Sequence, residues 1–322
     1  MIVTKTPLRV SFFGGGSDIP EYYNNNEGMV VSTSIDKYIY LAINKCESEH
    51  IRLTYSTMEY VKKLDDLKHD RAKKTLELFG VENNIEICSF SAVPTRGTGL
   101  GSSSTFTVGL INGISYLKNR NRLTKRELSE LACYIEIEKC NEPIGKQDQY
   151  AAAYGGLNVI RFSKDGISIN KLDINCFEEL KKNIFIFNTG INRQASSILD
   201  EQVKSLKNKV NFENTKNIVN MAKESVKLLE KNKLNDFGNL LNESWVVKKK
   251  LSSNISNSTI DEMYDTALKS GALGGKILGA GGGGYLMLYV PEKNHNKLLN
   301  NMKKYKRFEF NFENNGSTLE EI

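Results

Sequence analysis

The chemistry-bearing stretch of this chain is Pro94-Thr95-Arg96-Gly97-Thr98-Gly99-Leu100-Gly101-Ser102-Ser103-Ser104. It follows an apolar run, Ile85–Phe90, and opens into Phe106, Leu110, Ile114 and Leu117 at helical spacing. A glycine-rich turn that feeds a helix start is an anion site, because the first helical N–H groups lack partners and the helix dipole favours negative charge there. Three serine hydroxyls at that start can cap the helix, bind phosphate or ligate a cation. The segment therefore reads as a phosphate cradle, with a serine-capped tight turn as the plain alternative. The G-x-x-x-x-G-K-[ST] loop is absent: Gly145-Lys146 and Gly275-Lys276 lack the upstream glycine and the following hydroxyl.

Phosphoryl transfer needs a metal ligand, a group that activates the acceptor hydroxyl, and positive charge. Glu136 lies one turn after Ala132 and two after Leu128, on the apolar stripe of its helix, whereas Glu138 faces away. A carboxylate at a core-facing position is costly unless paired or metal-bound. Asp148, in Gly145-Lys146-Gln147-Asp148-Gln149-Tyr150, is the second candidate, with a helix-dipole role as the alternative. Arg9 is the third: it lies within the apolar strand Leu8–Phe13, where an inward guanidinium needs a partner, and Asp148 would serve. Gly279–Gly284 satisfies G-x-G-x-x-G but follows a helix and opens a strand, the reverse of a dinucleotide-binding turn. It is expected to let the backbone approach a phosphate or substrate closely at Gly281 and Gly282, or to be a plain tight turn.

The elements that must position these groups alternate irregularly. Strands are expected at Leu8–Phe13, Ile35–Ile43 and Ile85–Phe90, with 46–84 polar and loosely helical between the last two. Thr124 and Glu127 form a capping box for a helix ending near Asn141, before Pro143. A short helix at 147–154 precedes a hairpin around Asp165-Gly166. Beyond about residue 175 the pattern predicts a strand at Ile184–Phe187 and two lysine-rich helices from about Ala195 to Lys250. A helix around Ile260–Leu268, a strand at Tyr285–Val290, a last helix and a strand at Phe308–Phe312 follow. Mixed strands and helices without regular βα alternation predict an α+β fold.

With 322 residues, two domains are expected, divided as 1–175 and 176–322. The 44 basic and 38 acidic residues give a net charge of +6, which suits anionic small molecules. No basic stripe interleaved with aromatics argues for nucleic acid. Lysine runs such as Lys248–Lys250 read as solvated faces. Five irregularly spaced cysteines predict reduced thiols in a cytoplasmic protein rather than a disulfide framework or zinc site. The three histidines attract no chemistry, and no apolar run approaches membrane-spanning length.

Three segments together resemble the GHMP small-molecule kinases: Pro7-Leu8-Arg9-Val10-Ser11 through Gly16-Ser17-Asp18, the Pro94–Ser103 loop, and Lys276–Gly284. The resemblance implies a two-domain fold, an N-terminal α+β domain with a left-handed βαβ crossover and a ferredoxin-like C-terminal domain, with ATP and acceptor meeting between them. It implies Asp148 as the acceptor-activating base and Arg9 as its charge partner. Ser103 and Glu136 are implied as Mg²⁺ ligands. The loop from Pro94 and Arg96 through Gly97, Thr98, Gly99, Leu100, Gly101, Ser102, Ser103 and Ser104 is implied as the ATP-phosphate wrap. Asp18, with Ser17 beside it, is implied on the sugar hydroxyls. Gly-Lys-Gln-Asp-Gln-Tyr-Ala-Ala-Ala-Tyr-Gly-Gly (145–156) is similar to the heptose 7-phosphate kinase branch, which phosphorylates the anomeric hydroxyl. Fucokinases share much of this wording, while Gly14-Gly15-Gly16 departs from the galactokinase pattern. Arg193, then Lys146, are the expected cations for a phosphate on the sugar. The expected partners are ATP and a small sugar phosphate, with neither nucleic acid nor membrane, in a monomer or homodimer. A non-catalytic sensor is disfavoured because base, loop serines and metal carboxylate are all present. A decarboxylase is disfavoured by the wording around Asp148.

Overall fold

The computed structural model describes residues 1–322 except 95–96, 193–199, 202, 205 and 207. The first strand, β1 (Ile2–Phe13), begins with alternating exposure and ends fully buried, as a strand does when it passes from a sheet margin into a covered centre. After the single-turn helix α1 (Pro20–Tyr23) come β2 (Gly28–Lys45), β3 (Ile51–Thr54) and β4 (Met58–Val61). The helix α2 (Asp70–Leu78) and the strand β5 (Ile85–Ser91) lead into the loop and then α3 (Ser102–Asn119). The capping box at Thr124 and Glu127 forms as expected and starts α4 (Lys125–Cys133), which runs on as a π-helical segment, Tyr134–Lys139. α5 (Gln147–Tyr154) and the hairpin β6 (Leu157–Ser163) with β7 (Gly166–Lys171) complete this half.

The two short strands β3 and β4 stand where a polar, loosely helical stretch was expected. Each has four residues, and β4 has no buried residue, so its sequence lacks an apolar repeat. Only Ile51 and Leu53 of β3 face the core, where that strand lies parallel to β5.

The C-terminal half runs α6 (Phe177–Asn183), β8 (Ile184–Asn188), α7 (Lys209–Glu230), α8 (Leu234–Lys249) and α9 (Ser258–Lys269). It continues with β9 (Gly274–Ile277), β10 (Tyr285–Tyr289) and α10 (His295–Asn301). β10 lies between β8 and β9, antiparallel to both. The chain then returns beside β8: Asn188 N donates to Lys306 O (2.9 Å) and Phe308 N to Ile186 O (2.8 Å). This β-α-β-β-α-β order, with the last segment beside the first strand, is the ferredoxin-like arrangement.

The last two strands, β11 (Phe312–Glu313) and β12 (Thr318–Glu321), leave this sheet. They pair with β2 and β1, so the large sheet runs β12-β1-β2-β5-β3-β4, with β6 and β7 joined through β2. The expected strand at Phe308–Phe312 thus bridges two sheets, its start on β8 and its end on β2. One apolar core joins the halves: Phe12 and Phe13 of β1 meet Phe237 of α8 edge-on, at centroid distances of 5.6 and 5.3 Å. None of the described helices is long and apolar enough to cross a membrane.

Candidate active site

The loop after β5 becomes a cradle through three glycines. Gly97, Gly99 and Gly101 have φ of 73°, 71° and 77°, and Gly101 is the N-cap of α3 with no side chain capping the helix. The uncapped start of α3 therefore faces a cavity of about 490 Å³. Gly99 is also where the two halves touch: a Cβ there would overlap Leu278 O, and one on Gly279 would overlap Gly99. The phosphate loop and the second glycine turn are thus packed backbone to backbone.

Arg9 and Asp148 pair as expected. Arg9 Nε donates to Asp148 Oδ1 and Nη2 to Oδ2, both at 2.8 Å, while Nη1 donates to Gly99 O at 2.5 Å. β1 supplies the guanidinium from within the sheet, where it is 4% exposed, and the first turn of α5 supplies the carboxylate. Such a bidentate fork fixes the carboxylate in position and in plane. The third contact ties the same fork to the cradle.

Asp18 lines the same cavity. Its Oδ1 accepts from Gly16 N (2.9 Å) and its Oδ2 from both Gln147 N and Gln147 Nε2 (3.1 Å each). Burial, reinforced by the nearby Asp148 charge, pushes the Asp18 carboxyl above its ordinary range against the pull of the Gln147 and Gly16 amides. The Oε1 of Gln147 is buried without a partner. Asp18 and Gln147 together offer oxygen acceptors to a ligand rich in hydroxyl groups.

Glu136 is wholly buried, as its place on the stripe required, but one layer behind the cavity wall. Its Oε2 accepts from Ser104 Oγ (2.7 Å) and Gln149 Nε2 (2.5 Å), and its Oε1 from Thr107 Oγ1 (2.6 Å). Arg71 of α2 adds an ion pair at 3.2 Å without hydrogen-bond alignment and a second ion pair to Glu142. One carboxylate thus clamps the start of α3, the helix of Asp148 and α2. Glu136 lies in the π-helical segment, and π turns are frequent at functional sites.

The structure gathers Arg9, Asp18, Gly97, Thr98, Gly99, Gly101, Ser102, Ser103, Ser104 and Asp148 on one cavity wall. Leu100 points into the core, and its carbonyl accepts from Arg9 N. Besides Glu136 and Leu100, five expected site residues lie off that wall. Ser17 is buried, its Oγ donating to Gly14 O and accepting from Met29 N. Lys146 lies over the Tyr23 ring at 5.6 Å and lines a separate cavity with Cys133 and Tyr150. Gly281 and Gly282 pack against Ile255, with Gly282 N donating to Ile255 O, and Gly279 and Ala280 line the cavity instead. Pro94 is exposed. Arg96 and Arg193 lie outside the described residues.

Lys248 is a correction to the reading of Lys248–Lys250 as solvated. It is 6% exposed and lines the cavity. The signal was present: on α8 the buried set is Leu234, Phe237, Gly238, Leu241, Ser244, Trp245 and Lys248, so the lysine continues an apolar stripe as Glu136 does. Arg71 and Gln147 are also on the wall and carry no comparable pattern.

Family models for the GHMP kinases N terminal domain and the GHMP kinases C terminal domain match residues 59–156 and 225–307. The chain is 33% identical over 315 residues to the D-glycero-alpha-D-manno-heptose 7-phosphate kinase of Campylobacter jejuni, covering 92% of this chain and 91% of that protein. This chain belongs to the GHMP kinase family. It has the two-domain fold of that family, and it is a phosphotransferase with a hydroxyl acceptor. A D-glycero-D-manno-heptose 1-phosphate kinase from Bacteroides thetaiotaomicron has the same fold, with a TM-score of 0.80 and 24% identity, covering 100% of this kinase and 99% of that chain. The L-fucokinase/L-fucose-1-P guanylyltransferase of Bacteroides fragilis is 25% identical over 339 residues, covering 89% of this kinase and 34% of that larger protein. The glycine loop, the Arg9–Asp148 fork and Asp18 share one cavity of this kinase.

Proposed function

We propose that this kinase transfers the γ-phosphoryl group of ATP to the anomeric C1 hydroxyl of a sugar phosphate, D-glycero-D-manno-heptose 7-phosphate, giving the 1,7-bisphosphate. The observation that carries the reading is the Asp148 carboxylate held in a bidentate fork between the uncapped start of α3 and Asp18. The likeness to the Campylobacter jejuni enzyme supports the choice of acceptor.

Asp148 takes the proton of the acceptor hydroxyl as its oxygen bonds to the γ-phosphorus and the bond to the β-phosphate bridge oxygen breaks, releasing ADP. The Arg9 fork holds the carboxylate in the orientation that receives this proton. The start of α3, where the N-cap is Gly101 and carries no side chain, binds the phosphates. Ser103 and Glu136 would hold the magnesium ion, which neutralises phosphate charge when bound. Ser103 lines the cavity, whereas Glu136, one layer behind it, would reach the ion only by giving up one of its hydroxyl or amide donors. Asp18 and Gln147 accept from sugar hydroxyls.

A screen of sugars and sugar phosphates for ATP consumption, with the product's phosphate position assigned by NMR, tests this reading. The expected result is preference for the heptose 7-phosphate, with the new phosphate on C1. Preference for an unphosphorylated sugar such as L-fucose would replace it with the second reading, which the fucokinase likeness supports. Replacing Asp18 with Ala is expected to raise the acceptor KM about 10- to 100-fold while the ATP KM stays within about threefold, as loss of a charged hydrogen bond to the acceptor requires. Steady-state kinetics with each substrate varied checks it, and equal effects on both would remove Asp18 from the acceptor side.

A further inference from the structure

Lys248, at the end of α8, has spare donor capacity in a place where that is costly. Its Nζ donates to Gly279 O at 2.6 Å and has no other hydrogen bond or ion pair among the described residues. An ammonium has three N–H donors, so two remain on a group that is 6% exposed and lines the cavity. A buried cation left so incompletely paired is unfavourable unless an anion completes its shell. Arg9, by contrast, is committed: three of its N–H groups hold Asp148 and Gly99 O, and the Asp148 carboxylate cancels its charge. The Gly279 turn that anchors Lys248 packs directly on Gly99 of the cradle, which places the ammonium beside the phosphate loop.

Resting on the phosphoryl-transfer reading above, we propose that Lys248 is a catalytic residue that donates to the oxygens of the phosphoryl group in transfer, supplying the net positive charge the Arg9–Asp148 pair lacks. The γ-phosphoryl oxygens gain interaction with such a cation as charge redistributes in the transition state. An oxyanion on the acceptor would have the same chemistry, so the test separates the two sources.

The surroundings also make this lysine responsive to a bound anion. Burial and the Arg9 charge hold Lys248 down to about 8, with Asp18 pulling the other way. Behind it, Lys276 of β9 donates to Ser11 O at 3.1 Å and is held well below the ordinary lysine range by burial, then by Lys248 and Arg9. The charged groups facing Lys248 are therefore Arg9 from β1, Asp18 from the turn after β1, and Lys276 from β9. Phosphoryl oxygens arriving there would raise Lys248, so binding near pH 8 would draw a proton from solution.

The test uses the full-length protein with Lys248→Met and Lys248→Arg. Calorimetry of a non-hydrolysable ATP analogue with Mg²⁺ at pH 8, in buffers of different ionisation enthalpy, should show net proton uptake by the wild type and markedly less by the Met variant. Equal uptake by both overturns the proposal. Turnover of the Met variant should fall on the order of 10²- to 10³-fold. The Arg variant should keep activity within about tenfold and move the alkaline limb of kcat/KM upward, because guanidinium does not titrate there. A folded Met variant with turnover within about threefold of wild type overturns the assignment. So does a defect confined to the KM of phosphorylated acceptors and absent with unphosphorylated ones, which would give Lys248 to the acceptor's own phosphate. If the Met variant fails to fold, the Arg variant decides, and an unmoved alkaline limb refutes the role. Absence of ATP-dependent sugar phosphorylation by the wild type would overturn the proposed function separately, with proton uptake still reporting on Lys248.

Discussion

Asp148→Asn is expected to lower turnover by about 10²- to 10⁴-fold, the usual contribution of a positioned general base, while leaving the affinity for an ATP analogue within a few-fold. Asn has nearly the same shape, so the cavity keeps its volume and the start of α3 is untouched. What disappears is the basic site. The amide oxygen can still accept from one arm of the Arg9 fork, but it cannot hold the acceptor's proton. A structural cost accompanies this, because Arg9 is 4% exposed and loses its counter-charge. Breaking a buried ion pair costs roughly 3–5 kcal/mol, and the low end applies here because the Asp148 side chain is 23% exposed. Rapid-quench turnover and analogue binding, measured on protein whose melting temperature is recorded in parallel, separate the two effects. Turnover within about tenfold of wild type would remove Asp148 as base.

The second large effect is on stability. Glu136→Ala is expected to destabilise the fold by about 3–5 kcal/mol, because it removes a fully buried carboxylate and strands its donors. Ser104 and Thr107 have hydroxyls that can turn to other acceptors. Gln149 can rotate its amide, whose Oε1 is already unpartnered. Arg71 cannot adapt in that way and keeps only its pairing with Glu142. Glu136→Gln is expected to cost less, about 1–2 kcal/mol, since the amide oxygen serves Thr107 while the amide nitrogen donates to a reversed Gln149 and to Ser104. Urea denaturation of the three proteins checks the order. Equal stability of the Ala variant and the wild type would show that the carboxylate has no clamping role. Magnesium-dependent ATP binding should weaken in both variants if Glu136 also reaches the ion, which distinguishes the clamp from the ligand.

These two residues also show why parts of the site were legible before any fold. Glu136 stands on the apolar stripe of its helix and Arg9 within an apolar strand, and a charge buried at either place must find a partner. For Arg9 the sequence offered Asp148 as one carboxylate that would serve, and the family resemblance implied the pair, which the structure forms. For Glu136 it indicates burial, but not that α2, α3 and α5 all converge on it. Lys248 obeyed the same rule, on the stripe of Leu241 and Trp245, and was hidden by its place in a lysine run. The small strands β3 and β4 were hidden for another reason: at four residues each, even the alternation of Ile51-Arg52-Leu53-Thr54 is too short to stand out from a polar stretch.

The sequence by itself determined the α+β class and, through three motif segments, the kinase family; it offered the glycine loop as an anion cradle and Arg9 and Glu136 as inward charges, since each rests on local patterns of a few to a dozen residues. Only the tertiary structure decided which groups share the cavity. It drew Lys248 in from α8 and Gln147 in beside Asp18, turned Lys146 toward Tyr23, and placed Gly279 and Ala280, rather than Gly281 and Gly282, on the wall. Periodicity says which side of an element leaves solvent, because burial is governed by the element's own repeat. What that side meets depends on segments up to hundreds of residues away in the chain. Their approach is set by packing, down to the backbone contact of Gly99 with Gly279 that joins the phosphate cradle to the Lys248 turn.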